Sequence, residues 1–171
     1  MTMAIVEKLV PFILKWEGGF VNDKHDRGGA TNRGVTIGTF RHFYGKARTV
    51  DDLKKMSHEQ WEKIFMAGYW MPWKAHEIKS QGIANIVVDW AWASGTTTAI
   101  RQVQRILGVT VDGIVGDETL TAINKREARE LFDTIKRARI DFVNKIVRNN
   151  PTQARFSRGW INRINDIPFE G

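Results

Sequence analysis

The sequence contains no cysteine. That excludes a disulfide framework, a thiolate metal site and a thiol nucleophile, and leaves the redox compartment open. No stretch approaches the roughly 18 consecutive apolar residues of a membrane span, so stable membrane insertion is not expected. The four histidines (25, 42, 58 and 76) show no H-E-x-x-H or comparable spacing, and no metal or other cofactor is expected. The Gly-rich stretch lacks the G-K-[ST] of a phosphate loop, and no G-x-S-x-G elbow supports a serine hydrolase. Residues 1–16 are apolar but interrupted by Glu7, Lys8 and Pro11. Without a basic start, a clean apolar run and a small-residue cleavage site, they do not read as a signal peptide.

Aromatic and basic residues are plentiful. Seven tryptophans in 171 residues is a high count; most should be core, although flat rings also suit the apolar face of a sugar. The formal charge of +7 favours a polyanionic partner: nucleic acid, an anionic membrane, or the carboxylate- and phosphate-bearing polymers of a bacterial wall. The most basic segment, Lys125 to Arg148, is interleaved with Glu127, Glu130, Asp133 and Asp141. That pattern is a solvated helix face rather than a nucleic-acid surface.

The chemistry concentrates in one stretch. Lys15-Trp16-Glu17-Gly18-Gly19-Phe20 is followed by Asn22, Asp26, Arg27, Gly28, Gly29, Ala30 and Thr31, and then by Gly34-Val35-Thr36-Ile37-Gly38. Glycine just past an apolar helix is the usual left-handed cap, which places Glu17 on the last helical turn. The Trp16 indole and the negative helix end both disfavour a charged carboxylate there, the condition a general acid needs. Asp26, in a loop rich in polar donors, should stay ionised. Two carboxyls in contrasting environments are the acid/base pattern of glycoside cleavage. The bland alternative is a solvated Glu beside a Gly-Gly helix cap.

The rest of the chain reads as helices. Residues 3–17 carry one apolar stripe, with Pro11 kinking the helix or starting a new one. Residues 18–38 form a Gly-rich loop or short irregular hairpin, with Val35-Thr36-Ile37 a possible brief strand. Thr39 is expected to cap a short helix, and Ser57 with Gln60 forms a capping box. Gly68 to Trp73 is an aromatic turn that Pro72 keeps from continuing as helix. From Gly82 to Ser94 the chain is apolar on nearly every side, a central helix with Asp89 as its only charge. Further helices run through residues 96–107, from 119, over 127–147 and over about 152–165.

These motifs resemble known ones. Glu17, Asp26 and Thr31 stand in the order of the Glu/Asp/Thr triad of phage-type lysozymes, with one residue fewer between Asp and Thr. The string E-G-G-F-x-N-x-x-x-D-x-G-G-x-T-x-x-G-V-T is similar to the signature of glycoside hydrolase family 108, the N-acetylmuramidases of phages, prophages and bacteria, some termed secretion activators. Gln104-Arg105-Ile106-Leu107-Gly108 with Asp112-Gly113, Gly116 and Thr119 resembles the core of small peptidoglycan-binding modules. Its plain reading is a helix-turn-helix corner. Ala93, ahead of Ser94-Gly95, departs from the Asn of many family members.

The resemblance implies a mainly α, lysozyme-like α+β fold. A helical catalytic lobe (1–95) with a Gly-rich loop or hairpin would pack on a helical peptidoglycan-binding lobe (96–171). It implies a peptidoglycan hydrolase cleaving the β-1,4 bond between N-acetylmuramic acid and N-acetylglucosamine, with Glu17, Asp26 and Thr31 catalytic. Trp16, Phe20, Asn22, Thr36, Trp70, Trp73 and Asp89 are the substrate-binding candidates. Such a protein would be made in the bacterial cytoplasm and reach the wall with a holin or an export system. A non-catalytic wall-binding or export-assisting protein is the alternative.

Overall fold

The computed structural model describes residues 2–22 and 29–171. The fold is mainly α with one small antiparallel sheet, a lysozyme-like α+β arrangement as expected. Packing divides the chain into two compact units, Val10–Gly68 and, from two stretches of chain, Met1–Leu9 with Tyr69–Gly171. This partition by packing differs from the one by motif at residue 95.

In the smaller unit, helix α1 (Val10–Trp16) follows a 3-10 turn over Val6–Lys8. Pro11 therefore falls in the first turn of α1, where its missing N–H leaves no bond unmade. The break also turns Ile5 outward, 47% exposed, so the apolar stripe begins at Leu9 rather than at residue 3. Strands β1 (Val21–Asn22), β2 (Ala30–Asn32) and β3 (Val35–Thr36) form an antiparallel sheet in that order. Val21 and Thr36 both pair with Thr31, and Asn32 pairs with Val35. The two residues between β2 and β3 are Arg33 (φ 49°) and Gly34 (φ 81°). Positive φ at both central positions is the type I′ turn that matches strand twist.

Helix α2 (Ile37–Tyr44) is capped by Thr36, three residues earlier than the expected Thr39. Thr39 instead supplies the N–H that the cap accepts, at 3.1 Å. Helix α3 (Val50–Lys54) starts with a Thr49/Asp52 capping box, and α4 (His58–Phe65) with the expected Ser57/Gln60 box. Asn32 is buried in β2 and its Nδ2 donates to the carbonyls of Leu53 (2.9 Å) and Lys54 (3.3 Å), fastening the sheet to α3. A π-helical stretch over Met66–Trp70 and a turn containing Pro72 lead onward.

The larger unit is built on α5 (Gln81–Ser94), in which every residue from 81 to 91 is buried, as the all-round apolar pattern requires. Around it lie α6 (Thr96–Leu107), α7 (Asp117–Lys125), α8 (Ala128–Asn149) and α9 (Ala154–Asp166). Three polar residues of α5, one turn apart, each hold a different part of the chain. Gln81 exchanges two hydrogen bonds with the backbone of Ile5 (2.8 and 3.0 Å). Asn85 accepts from Gln81 (3.0 Å) and donates to the Pro168 carbonyl (3.1 Å). Asp89 binds two arginines, described below. Gly82 lets the C-terminal tail lie directly on the helix. Its N–H donates to Glu170 O at 2.7 Å, and a Cβ there would meet the Phe169 ring and stand 3.1 Å from Glu170 N.

The Q-x-x-L-G…D-G-x-x-G-x-x-T segment is a hydrogen-bonded corner. Gln104, with no exposed surface, accepts from the amides of Asp112 and Gly113 (both 3.0 Å). Its Nε2 donates to Asp112 Oδ1 (2.9 Å), Ile114 O (3.0 Å) and Thr119 Oγ1 (3.2 Å). Asp112 also accepts from the Ile114 amide two residues on (3.0 Å), the expected Asx bond. That bond, followed by the one from Gln104, holds its carboxyl below the ordinary value. Gly113 (φ 76°) supplies the left-handed turn. In Gln104→Leu the volume stays and the corner loses its partners, two amides among them. Unfolding in urea should show a loss of at least about 2 kcal/mol, since a buried donor left unpaired costs about 1–3 kcal/mol.

Candidate active site

Glu17 is the residue immediately after α1, and its amide closes the last turn on Ile13 O at 3.1 Å. The expected left-handed glycine cap is absent: Gly18 and Gly19 do not adopt positive φ. The glycines serve the site in another way. A Cβ at either would meet nothing within 4 Å, and both border an open groove of about 490 Å³. Side chains there would fill the groove instead of the core.

The groove is lined by Leu14, Glu17, Gly18, Gly19, Arg33 and His58. Half-buried Glu17 comes from the end of α1, Arg33 from the I′ turn, and His58 from the first turn of α4. Trp61 relates the last two. Its Nε1–H donates to the Arg33 carbonyl at 3.0 Å, and its ring lies parallel to that of His58 at 6.3 Å and stacks on Phe65 at 5.1 Å. Glu62 takes His58 Nε2 at 3.2 Å on the next turn. The wall facing the carboxylate is therefore basic and set by a buried indole.

Of the expected site residues, only Glu17 lines this groove among the described residues. Thr31 is half-buried in the middle strand, flanked by Val21 and Thr36. Asp26 lies outside the described residues. Trp16 is half-buried with Lys15 Nζ 5.9 Å from its ring centroid, half-buried Phe20 has Lys54 Nζ at 5.6 Å, and Asn22 is exposed on β1. No group of three or more His, Asp or Glu that could hold a metal ion occurs among the described residues.

Residues 10–95 match the family described as Glycosyl hydrolase 108. The chain belongs to this family. Residues 98–165 match a second family, described as Predicted Peptidoglycan domain. Among solved structures the chain is similar to Brucella abortus SagA, with 27% identity over 94% of this chain and 90% of that one and a TM-score of 0.82. No curated protein matches it. Membership of family 108 makes the protein a glycoside hydrolase, and with the second segment its substrate is peptidoglycan. No helix among the described residues is long and apolar enough to cross a membrane.

Four of the expected substrate contacts are structural in this family 108 chain. Trp70 and Trp73 are 2% and 0% exposed, so their rings are core and offer no face to a sugar. Thr36 Oγ1 accepts from the Thr39 amide and donates to Thr39 Oγ1 (3.1 Å each), which commits its hydroxyl to capping α2. Asp89 has no exposed surface. Oδ2 accepts from Arg139 of α8 at 2.9 Å, and Oδ1 accepts from Arg163 of α9 at 2.7 and 3.1 Å. Burial pushes the Arg139 guanidinium below its ordinary value, against the pull of Asp89. Asp89, the only charge of the central helix and an expected substrate contact, has its partners 50 and 74 residues away. Sequence reasoning passed over Arg33 and His58, although the Ser57 box before His58 and the turn dipeptide Arg33-Gly34 were there to read.

Two outcomes follow. Asp89→Asn should lower stability by about 3–5 kcal/mol in chemical denaturation, because it strands a buried guanidinium. Thr36→Ala should cost about 1 kcal/mol, with Thr36→Ser restoring it, as a helix cap would and a substrate contact would not.

Proposed function

We propose that this protein is an N-acetylmuramidase, cleaving the β-1,4 bond between N-acetylmuramic acid and N-acetylglucosamine, with Glu17 as general acid. The observation that carries this reading is the half-buried carboxylate at the edge of an open groove whose glycine border leaves a polymer chain free to approach. Glu17 protonates the glycosidic oxygen as the bond to the anomeric carbon breaks. The ring then carries oxocarbenium-like charge, and water adds at that carbon, returning a proton to solvent or to a base. Asp26 stabilises the charge or orients the water, and Thr31 holds the water through its hydroxyl. Arg33 and His58 present a basic face to a glycan bearing lactyl and peptide carboxylates.

Residues 1–95 then form the catalytic segment and 96–171 the wall-binding one. The protein reaches the wall from the cytoplasm through a holin or an export system. Purified peptidoglycan decides the matter. Wild type should release reducing ends borne by N-acetylmuramic acid, and Glu17→Gln should be at least about a hundredfold slower with an unchanged unfolding midpoint. A mutant retaining more than about a tenth of the rate would remove Glu17 from the role. No release by either protein, with both sedimenting with the wall, would favour a binding or export-assisting protein.

A further inference from the structure

The groove at Glu17 faces a polymer in which two kinds of β-1,4 bond alternate, and a carboxylic acid alone treats both alike. Each linkage offers it a glycosidic oxygen between two N-acetylated pyranose rings. The rings differ in one substituent, the lactyl ether on O3 of the muramic acid with whatever peptide it carries. That arm bears carboxylate, and the other ring has none. Choosing one bond therefore needs a group in the groove that reads the arm.

Arg33 has the properties of that group. It takes the first central position of the β2–β3 turn at φ 49°, where a type I′ turn favours Asn, Asp or Gly. An arginine there costs backbone strain that the surroundings must hold in place. Trp61, with no exposed surface, does so by donating from Nε1 to the Arg33 carbonyl at 3.0 Å. The turn itself gives no reason for an arginine. Its half-buried side chain lines the groove with Glu17, and its guanidinium makes no hydrogen bond or ion pair among the described residues. The N–H donors are thus left for a ligand, and their planar fork matches a carboxylate. His58, the other basic residue of the groove, already has Nε2 on Glu62 at 3.2 Å and its ring parallel to Trp61. It supports the wall and leaves the reading to Arg33.

We propose that Arg33 binds a carboxylate on the O3 arm of N-acetylmuramic acid and so sets which of the alternating bonds lies at Glu17. This rests on the reading of the groove as a muramidase site. The carboxylate is either the lactyl group itself, on strands whose stem peptide has been removed, or the first free acid of that peptide. Both place an anion on one ring of each disaccharide. Sliding the strand by one sugar takes the arm off the guanidinium, so the other bond reaches Glu17 only without this ion pair.

The test separates binding from cleavage. In the Glu17→Gln background, which removes turnover, calorimetric titration compares three tetrasaccharides. One alternates N-acetylglucosamine with N-acetylmuramic acid bearing free lactyl groups, the second is the same chain with its stem peptides, and the third is chitotetraose, which has no arm. One of the acidic chains should bind at least about tenfold more tightly than chitotetraose, and the tighter of the two names the carboxylate. Arg33→Asn should bring all three within about threefold, with an unfolding midpoint unchanged or higher, because asparagine suits the turn. With Glu17 intact, the same substitution should raise KM on purified wall more than it lowers kcat, and release N-acetylglucosamine ends beside the N-acetylmuramic acid ends. Chitotetraose binding as tightly as both acidic chains, no saturable binding of any chain, a preference undiminished in Arg33→Asn, or product ends unchanged by it would each overturn the proposal. Failure of the wild type to release sugar would remove the hydrolytic reading, and the titration would still decide for or against Arg33.

Discussion

One buried carboxylate fixes the larger unit. Asp89 has no contact with water and is bound by guanidiniums from two other helices. An isolated charge at that depth would be prohibitively unfavourable, so α5, α8 and α9 must come together with their arginines in place. A helix apolar on every side has no preferred rotation among its neighbours. The stripe Gln81, Asn85 and Asp89 gives it one, because any other rotation strands three polar side chains. Arg139 adds a bond to the Ile86 carbonyl and lies 5.7 Å from the Trp90 ring centroid. The apolar surface supplies the driving force and the polar stripe the orientation.

The smaller unit works under a different constraint. Its strands are two or three residues long, too short to be stable by their own pairing. Side chains that reach out of the sheet hold it instead: Asn32 to the end of α3, and Trp61 to the carbonyl at the hairpin turn. The groove beside Glu17 inherits its shape from these two bonds. Arg33 is presented by a turn that a core tryptophan fastens, and His58 by the helix carrying that tryptophan.

Local signals were legible in the sequence and distant ones were not. The Ser57/Gln60 box, the helix break at Pro11 and the central helix all follow from a few neighbouring residues, and the structure has them. The string from Glu17 to Thr36, by its resemblance to family 108, pointed to a glycoside hydrolase, and the family match agrees. What failed were inferences about surroundings. Trp70, Trp73 and Asp89 looked available for sugar because burial depends on residues far along the chain. Thr36 looked like a substrate contact because a cap and a ligand contact use the same hydroxyl. Gly18 looked like a left-handed cap because the alternative, an unobstructed groove, is a property of empty space and leaves no mark on neighbouring residues.

The seam at the start of α5 has a consequence for how the protein is made. Ser80 Oγ and the Gly82 amide both meet the carbonyl of Glu170, and the Ser80 bond spans ninety residues. Gln81 meanwhile waits on Ile5, seventy-six residues earlier. During translation Gln81 can meet Ile5 as soon as α5 emerges, whereas Ser80 and Gly82 have no partner until residue 170 has been made. The helix that centres the larger unit is thus made midway along the chain and is among the last parts to be sealed.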